Sequence, residues 1–300
     1  MMPVMKQNLF RILEQQMKYC TAVLTNKKPN TVKPLKVSSK IITPKLSKEQ
    51  LESVNYVTGI HMGTTCISWA LLHIENNTRH HLLDWNHMPF PPNTQKLHIH
   101  ELSKLIFEAR DCLPESDLYV TESLNPVIRS SSNPVLQVAL ELISQLQSML
   151  CVALSESGSA LDTHPKLVFL KNRSSAKLFN LLLKSECITS RHIIENLIQS
   201  QTLSDTQYYS TEHESEPRTR SSGVEGSADS SGLSSLTSGL NFHTRVLMDE
   251  MFISRYDTTR GYPQESLALA LLYAICFTGL VARPNENVVR RMYLAQTTDS

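Results

Sequence analysis

The sequence predicts an α/β domain built on a mixed five-stranded sheet with flanking helices. Three observations point there. Strand-like runs follow one another at 54–60, 65–74 and 80–85. From residue 98 onward helical and strand patterns alternate. The last strong pattern, 264–281, is a helix stopped by Arg283-Pro284.

Taken in order, residues 9–24 set Leu9, Ile12, Leu13, Met17, Cys20 and Leu24 on one helical face, which needs a partner surface. Residues 25–50, with Asn26, Pro29, Asn30, Pro34 and Pro44 among many lysines, read as a stiff basic connector. Gly63 loosens the backbone between the first two strands, and Glu75-Asn76-Asn77 supplies a hairpin turn before the third. Leu97, Leu102, Leu105, Ile106 and Ala109 recur at helical intervals, and Asp117–Glu122 reads as a fourth strand. Pro134–Leu154 is a long helix, capped by Ser132 or Asn133 and apolar on more than one side, so it should be largely covered. After a turn region at 155–165 come a fifth strand, Lys166–Leu170, and helices near 174–184 and 190–200, with Asn172 and Ser174 as caps for the first. The Ser-, Thr-, Gly- and Glu-rich stretch 203–240 has too little apolar area to offset the entropy of ordering it, and reads as a disordered insertion in a domain spanning 51–284. Structure resumes at 241–255, and 285–300 is a tail.

A hydrophobic fraction of 41% fills an ordinary core. The longest apolar stretches, such as 267–277, are too short and too interrupted to read as membrane spans. Cys20, Cys66, Cys112, Cys151, Cys187 and Cys276 lack paired spacing, which fits a reducing compartment and implies no zinc site. The net charge of +1 conceals an asymmetry: residues 1–50 carry about +8 and the remainder about −7. A basic arm of this kind suits a phosphate backbone, and Lys27, Lys28, Lys33, Lys36, Lys40 and Lys45 are its candidate contacts; a solvated linker is the alternative. Arg129, beside the Ser-rich approach to the long helix, and Lys171, Arg173 and Lys177 after the fifth strand are further candidates, with Arg290 and Arg291 a lesser spot. In the insertion, Asp205, Glu212, Glu214, Glu216, Glu225 and Asp229 outnumber Arg218 and Arg220, so it should stand away from nucleic acid. Trp69 and Trp85 read as core, and neither His80-His81 nor His98 with His100 has metal-ligand company.

Three strands followed by alternating helices and strands match the ribonuclease-H-like plan, a grammar that many mixed sheets share. Within it, Thr58-Gly-Ile-His-Met-Gly-Thr, Ile67-Ser-Trp-Ala-Leu, Leu83-Asp-Trp, Asp117-Leu-Tyr-Val-Thr-Glu-Ser, Met251-Phe-Ile-Ser and Glu265-Ser-Leu-Ala-Leu-Ala-Leu-Leu-Tyr-Ala-Ile resemble the mitochondrial transcription elongation factors. The resemblance covers roughly 50–200 and 241–282, with a weaker match at 1–24, where it implies the last helix of a helix-hairpin-helix region. It implies a homodimeric, noncatalytic factor in the mitochondrial matrix or nucleoid. Such a factor binds the mitochondrial RNA polymerase with DNA and the RNA–DNA hybrid to raise processivity, without a cofactor or a membrane. Its domain would be related to Holliday-junction resolvases.

A nuclease on this fold draws acidic ligands from the first strand, the fourth strand and the last helix, so that two divalent metals activate water and stabilise the leaving oxygen. The resemblance puts His61 where active resolvase-like sequences present an aspartate. An imidazole is a poor substitute for an oxygen that bridges magnesium ions. Glu122 and Glu265 keep acids at the other two places. They are expected to be vestigial or structural, with Glu122 bridging His61 and raising its pKa as one arrangement, and Glu265 favoured by a helix dipole; a single metal held without turnover is a further reading of the pair. A magnesium-dependent nuclease using Glu122 and Glu265, and a protein scaffold without nucleic-acid contact, are the alternatives.

Overall fold

Strand β2 (Tyr56–Met62) is the hub of the sheet, because it has a neighbour of each orientation. On one side it pairs antiparallel with β3 (Cys66–Ile74), which pairs antiparallel with β4 (Arg79–Pro89). On the other it pairs parallel with β5 (Leu118–Glu122), which pairs parallel with β6 (Leu167–Leu170). The order β4-β3-β2-β5-β6 is the ribonuclease-H-like arrangement. This computed structural model describes residues 41–76, 79–124, 133–156, 166–183, 186–187, 189–210, 245–286 and 288–290. They belong to one of two compact units, Val37–Ser300. The helical pattern at 9–24, most of the basic connector and the insertion from 211 to 240 lie outside them.

The sheet has seven strands where the sequence pattern shows five. β1 (Ile42–Thr43) adds antiparallel to β6, and β9 (Arg245–Leu247) adds parallel to β4. Runs of two or three residues carry no readable period. The end of the basic connector is thus part of the domain: after β1 comes α1 (Lys48–Ser53), opened by a capping box in which the Gln50 amide N–H donates to Ser47 Oγ and the Ser47 N–H donates to Gln50 Oε1.

Alternation along the strands sends side chains to two cores. Ile60, Met62, Ile67, Trp69, Tyr119 and Leu167 face α2 (Ile99–Cys112) and α3 (Pro134–Glu156). Val57, Ala70, Leu72, Trp85, Val120 and Val168 face α7 (Tyr262–Phe277) and the π-helical turn Thr278–Ala282 that continues it. Around α7 pack α4 (Ser174–Leu178), α5 (Arg191–Ser210) and α6 (Glu250–Thr258). Being enclosed by sheet and helices, α7 is apolar on nearly every side. Trp85 locks this layer: its indole N–H donates to the Leu267 carbonyl at 2.9 Å and its ring stacks on Tyr256 at 4.8 Å.

Four further features differ from the sequence expectation. The helix expected at 174–184 stops at Leu178, and a β7–β8 hairpin (Leu182–Leu183, Glu186–Cys187) follows. The next helix runs to Ser210, so 203–210, expected as disordered insertion, is helical. By length and apolar composition alone α3, and α7 together with its π-helical continuation to Ala282, would suffice to cross a bilayer, yet burial marks α7 as a core helix. Finally, α3 is not largely covered. Leu142, Leu146 and Leu150 are buried, but Val135 is 77% exposed and Leu136, Val138 and Val152 are exposed as well. Asn133 does cap it, its Oδ1 accepting from Val135 N–H at 3.0 Å.

Candidate functional site

The site is built where the parallel strands β2 and β5 end. Their register pairs Gly59 with Val120, and two residues further along each strand stand His61 and Glu122. The period of two keeps Gly59 and His61 on one face, the face covered by α7, where Glu265 occupies the first turn. Strand ends and helix start thus bring the three sequence-predicted positions to one end of the sheet. Among the described residues, however, no group of three or more His, Cys, Asp or Glu is placed to hold a metal ion.

Each of the three is committed elsewhere. His61 does not bridge to Glu122. Its Nδ1 lies 3.2 Å from the Tyr273 hydroxyl and its Nε2 3.4 Å from that of Tyr262, so the imidazole sits between two phenols of α7. Burial pushes its pKa down to about 4, opposite to the rise that a carboxylate neighbour would cause. The ring is neutral at physiological pH. Gly63 makes this possible, since any Cβ there would overlap the Tyr262 hydroxyl. The two tyrosines lie eleven residues apart, three helical turns, and that spacing was the available sequence signal for a shared face.

Both acids serve helix starts. Glu122 Oε1 accepts from the Ser175 N–H at 3.0 Å and the Ser175 hydroxyl at 3.1 Å, at the opening of α4. Arg173, with φ of 59°, precedes that helix without a side-chain cap, and Asn172 instead donates to the Ser123 carbonyl. The caps expected from Asn172 and Ser174 are therefore replaced by a carboxylate reaching in from β5. Glu265 does the same for α5: it accepts from the Ser190 N–H and hydroxyl at 2.8 Å each and from the Thr189 hydroxyl at 2.6 Å. Unpaired amides at helix N-termini carry partial positive charge, so each acid neutralises one. Ser175, Thr189 and Ser190 escaped the sequence reading because they lie 53 to 76 residues from the acids they bind.

Glu122 is a contested anion. Burial pushes its carboxyl up to about 7, against the Ser175 amide and hydroxyl and the amides of Ser174 and Arg173, which pull it down. Its folded pKa exceeds the unfolded value of 4.5, so the protonated form contributes stability that is present below pH 4.5 and lost as pH rises through about 7. Glu122→Gln keeps an oxygen for Ser175 and removes the ionisation. We expect it to match the parent at pH 5 and to exceed it at pH 8 by about 1–2 kcal/mol, discounted because the carboxyl keeps some contact with solvent. Urea unfolding at both pH values measures this, and a variant less stable at pH 8 would show that the anionic cap outweighs burial.

Of the basic candidates, Lys171, Arg173 and Lys177 cluster after β6, beside the Glu122 end: Leu170 pairs with Glu122, and Lys171 follows it. Lys45 is exposed but separated from them, because β1 runs antiparallel to β6 and carries the chain away. Lys27, Lys28, Lys33, Lys36, Lys40 and Arg129 lie outside the described residues. Trp69 and Trp85 are buried, as core residues.

Comparison with known proteins agrees with the sequence resemblance. The chain is 24% identical over 194 residues to the mitochondrial transcription elongation factor of Bos taurus, covering 62% of this chain and 51% of that protein. It is 23% identical over 174 residues to the factor of Rattus norvegicus, covering 56% and 44%. The chain thus spans about half the length of these relatives. No family model matches. Among solved structures, the yeast mitochondrial Holliday junction resolvase superposes with a TM-score of 0.46 at 11% identity over 84% of this chain and 89% of that one. The Thermus thermophilus RuvC bound to a Holliday junction gives 0.30 at 13% identity over 42% and 71%.

Proposed function

We propose that this chain is a noncatalytic mitochondrial transcription elongation factor, acting in the matrix or nucleoid by binding the mitochondrial RNA polymerase together with DNA and the RNA–DNA hybrid. The observation that carries the noncatalytic part is the commitment of all three nuclease positions: His61 between two tyrosines, Glu122 on α4 and Glu265 on α5. Two bridging metals need carboxylate oxygens free to turn inward. Here one carboxylate is replaced, and the other two would have to abandon helix amides to serve. The names of the relatives support the elongation part. Lys171, Arg173 and Lys177, with the basic arm at 25–50, supply the phosphate contacts in this reading. A homodimer would use the apolar residues that α3 leaves exposed, since α7 is enclosed.

Two measurements test this. Transcripts made by the mitochondrial polymerase should lengthen when the chain is added, with binding to a hybrid that weakens with salt and with deletion of 25–40, which spares β1 and α1. Junction DNA and RNA–DNA hybrid should stay intact under magnesium or manganese with the parent and also with His61→Asp, because one restored acid does not free the other two. Metal-dependent products from the parent that disappear in E122Q would make the chain a nuclease.

A further inference from the structure

A cavity of about 600 Å³ opens at the far end of the sheet from His61, where β2 and β5 begin. That volume accommodates several side chains or a small molecule. Leu46, Val54 and Leu71 give it an aliphatic floor. Tyr56 forms an aromatic wall, exposed to 41% and held by stacking on His73, with ring centroids 5.0 Å apart. Two inner polar groups are engaged by the fold itself: Asp117 Oδ2 accepts from the Asn55 and Tyr56 amides at 2.8 and 2.9 Å, and the Ser116 hydroxyl donates to the Tyr56 carbonyl at 3.0 Å. None of the buried side-chain atoms left without a partner among the described residues belongs to its lining.

The unsatisfied groups are at the rim. Glu115, on the loop before β5, and Lys166, just before β6, both line the cavity. Their side chains have no hydrogen-bond or ion-pair partner among the described residues, and they do not pair with each other. We propose that this cavity is a docking site for a short peptide segment of a protein partner. A large apolar anchor fills the floor against Tyr56, a basic residue meets Glu115, and an acidic residue meets Lys166.

Three features favour this occupant. An apolar floor beside a rigid aromatic ring is the usual seat of an interface anchor. Opposite charges on the rim set the direction in which a chain runs across it. A phosphate-bearing ligand or nucleic acid would meet two carboxylates, Glu115 and Asp117, against one ammonium, whereas a peptide carrying both a basic and an acidic side chain can answer both signs.

The test uses fluorescein-labelled decapeptides with a central Leu-Phe pair, flanked by Arg on the N-terminal side and Asp on the C-terminal side, in the opposite order, or uncharged. They are titrated into the full chain by fluorescence polarisation. One charged order is expected to bind with Kd on the order of 10–100 µM and the other at least about tenfold more weakly. The paired exchange Glu115→Lys with Lys166→Glu should reverse that preference, and Leu46→Arg should abolish binding of both. Both exchanged side chains are at the surface, so an unchanged melting temperature certifies the fold of the exchange variant even if Leu46→Arg fails to fold. No saturable binding, binding without preference for order, a preference that survives the exchange, or displacement by single-stranded DNA overturns the proposal.

Discussion

Gly59→Val is expected to abolish the native fold. At this point in β2 the strand and α7 meet backbone to backbone. A Cβ on Gly59 would overlap the Ala270 carbonyl oxygen and lie 2.8 Å from the Ala274 amide nitrogen and 3.1 Å from the Ala274 Cβ. Neither the carbonyl nor the amide can swing aside, so α7 would have to retreat from the sheet as a body. Every buried contact between α7 and β2, β3 and β5 loosens with it. Overpacking ordinarily costs about 1–3 kcal/mol where flexible side chains can yield. With backbone as the obstacle and a β-branched side chain added, a loss above about 4 kcal/mol is the expectation, a large share of the roughly 5–15 kcal/mol of a typical domain. Gly279→Ala is the contrast, because its Cβ would meet only the Val288 side chain, at 3.2 Å. It should change stability by less than about 1 kcal/mol. Chemical denaturation of both variants decides the matter, and a folded, cooperative Gly59→Val protein would mean that the close approach is not a feature of the native state.

Gly59 also shows what was legible in the sequence and what was not. The strands and helices that carry the sheet were readable because they are long enough to show a period: β2, β3, β5, α2 and α7 fall within a few residues of the patterns that predict them. The alternation of elements matched the ribonuclease-H-like plan, but many mixed sheets share it, so the order of the strands was not fixed by the pattern alone. Close approach of two backbones leaves no trace in a period; it appears only as a small residue in a strand and alanines four apart in a helix. Likewise, the sequence placed His61, Glu122 and Glu265 at matching ends, but their partners come from segments distant in the chain. Apolar composition misled at α3, where Val135 and Val138 are apolar yet exposed: hydrophobicity predicts burial only where a partner surface exists. The edge strands β1 and β9 were hidden by shortness and, for β1, by a lysine-rich neighbourhood that reads as linker.

Acid should unfold this domain through two histidines, in a window where Glu122 works against them. Burial pushes the pKa of His61 down to about 4, and that of His80, which is 1% exposed and has an unpartnered Nδ1, down to about 4 as well. For His80 the hydrogen bond with Arg79 pulls the other way, and the charges of His81, Arg283 and His73 add to the fall. Both folded values lie below the unfolded 6.5, so the stability of the neutral rings is full above pH 6.5 and is lost as pH falls toward 4. A withheld proton changes the unfolding free energy by about 1.4 kcal/mol per pH unit, which sets a ceiling of roughly 7 kcal/mol for the pair. Since His61 keeps some contact with solvent, about 2–4 kcal/mol is the realistic loss. Glu122 has the opposite sign: between pH 7 and 4.5 it takes up a proton in the folded state and returns part of that loss. The parent should therefore show a shallow decline across this range, and E122Q a steep one. In the E122Q background His80→Leu should flatten the decline by about half, because it removes one of the two protons bound on unfolding. Urea midpoints taken from pH 7.5 to 4.5 in the three proteins give the proton count directly; equal slopes for parent and E122Q would mean that Glu122 is already ionised at the lower end and that burial does not govern this carboxyl.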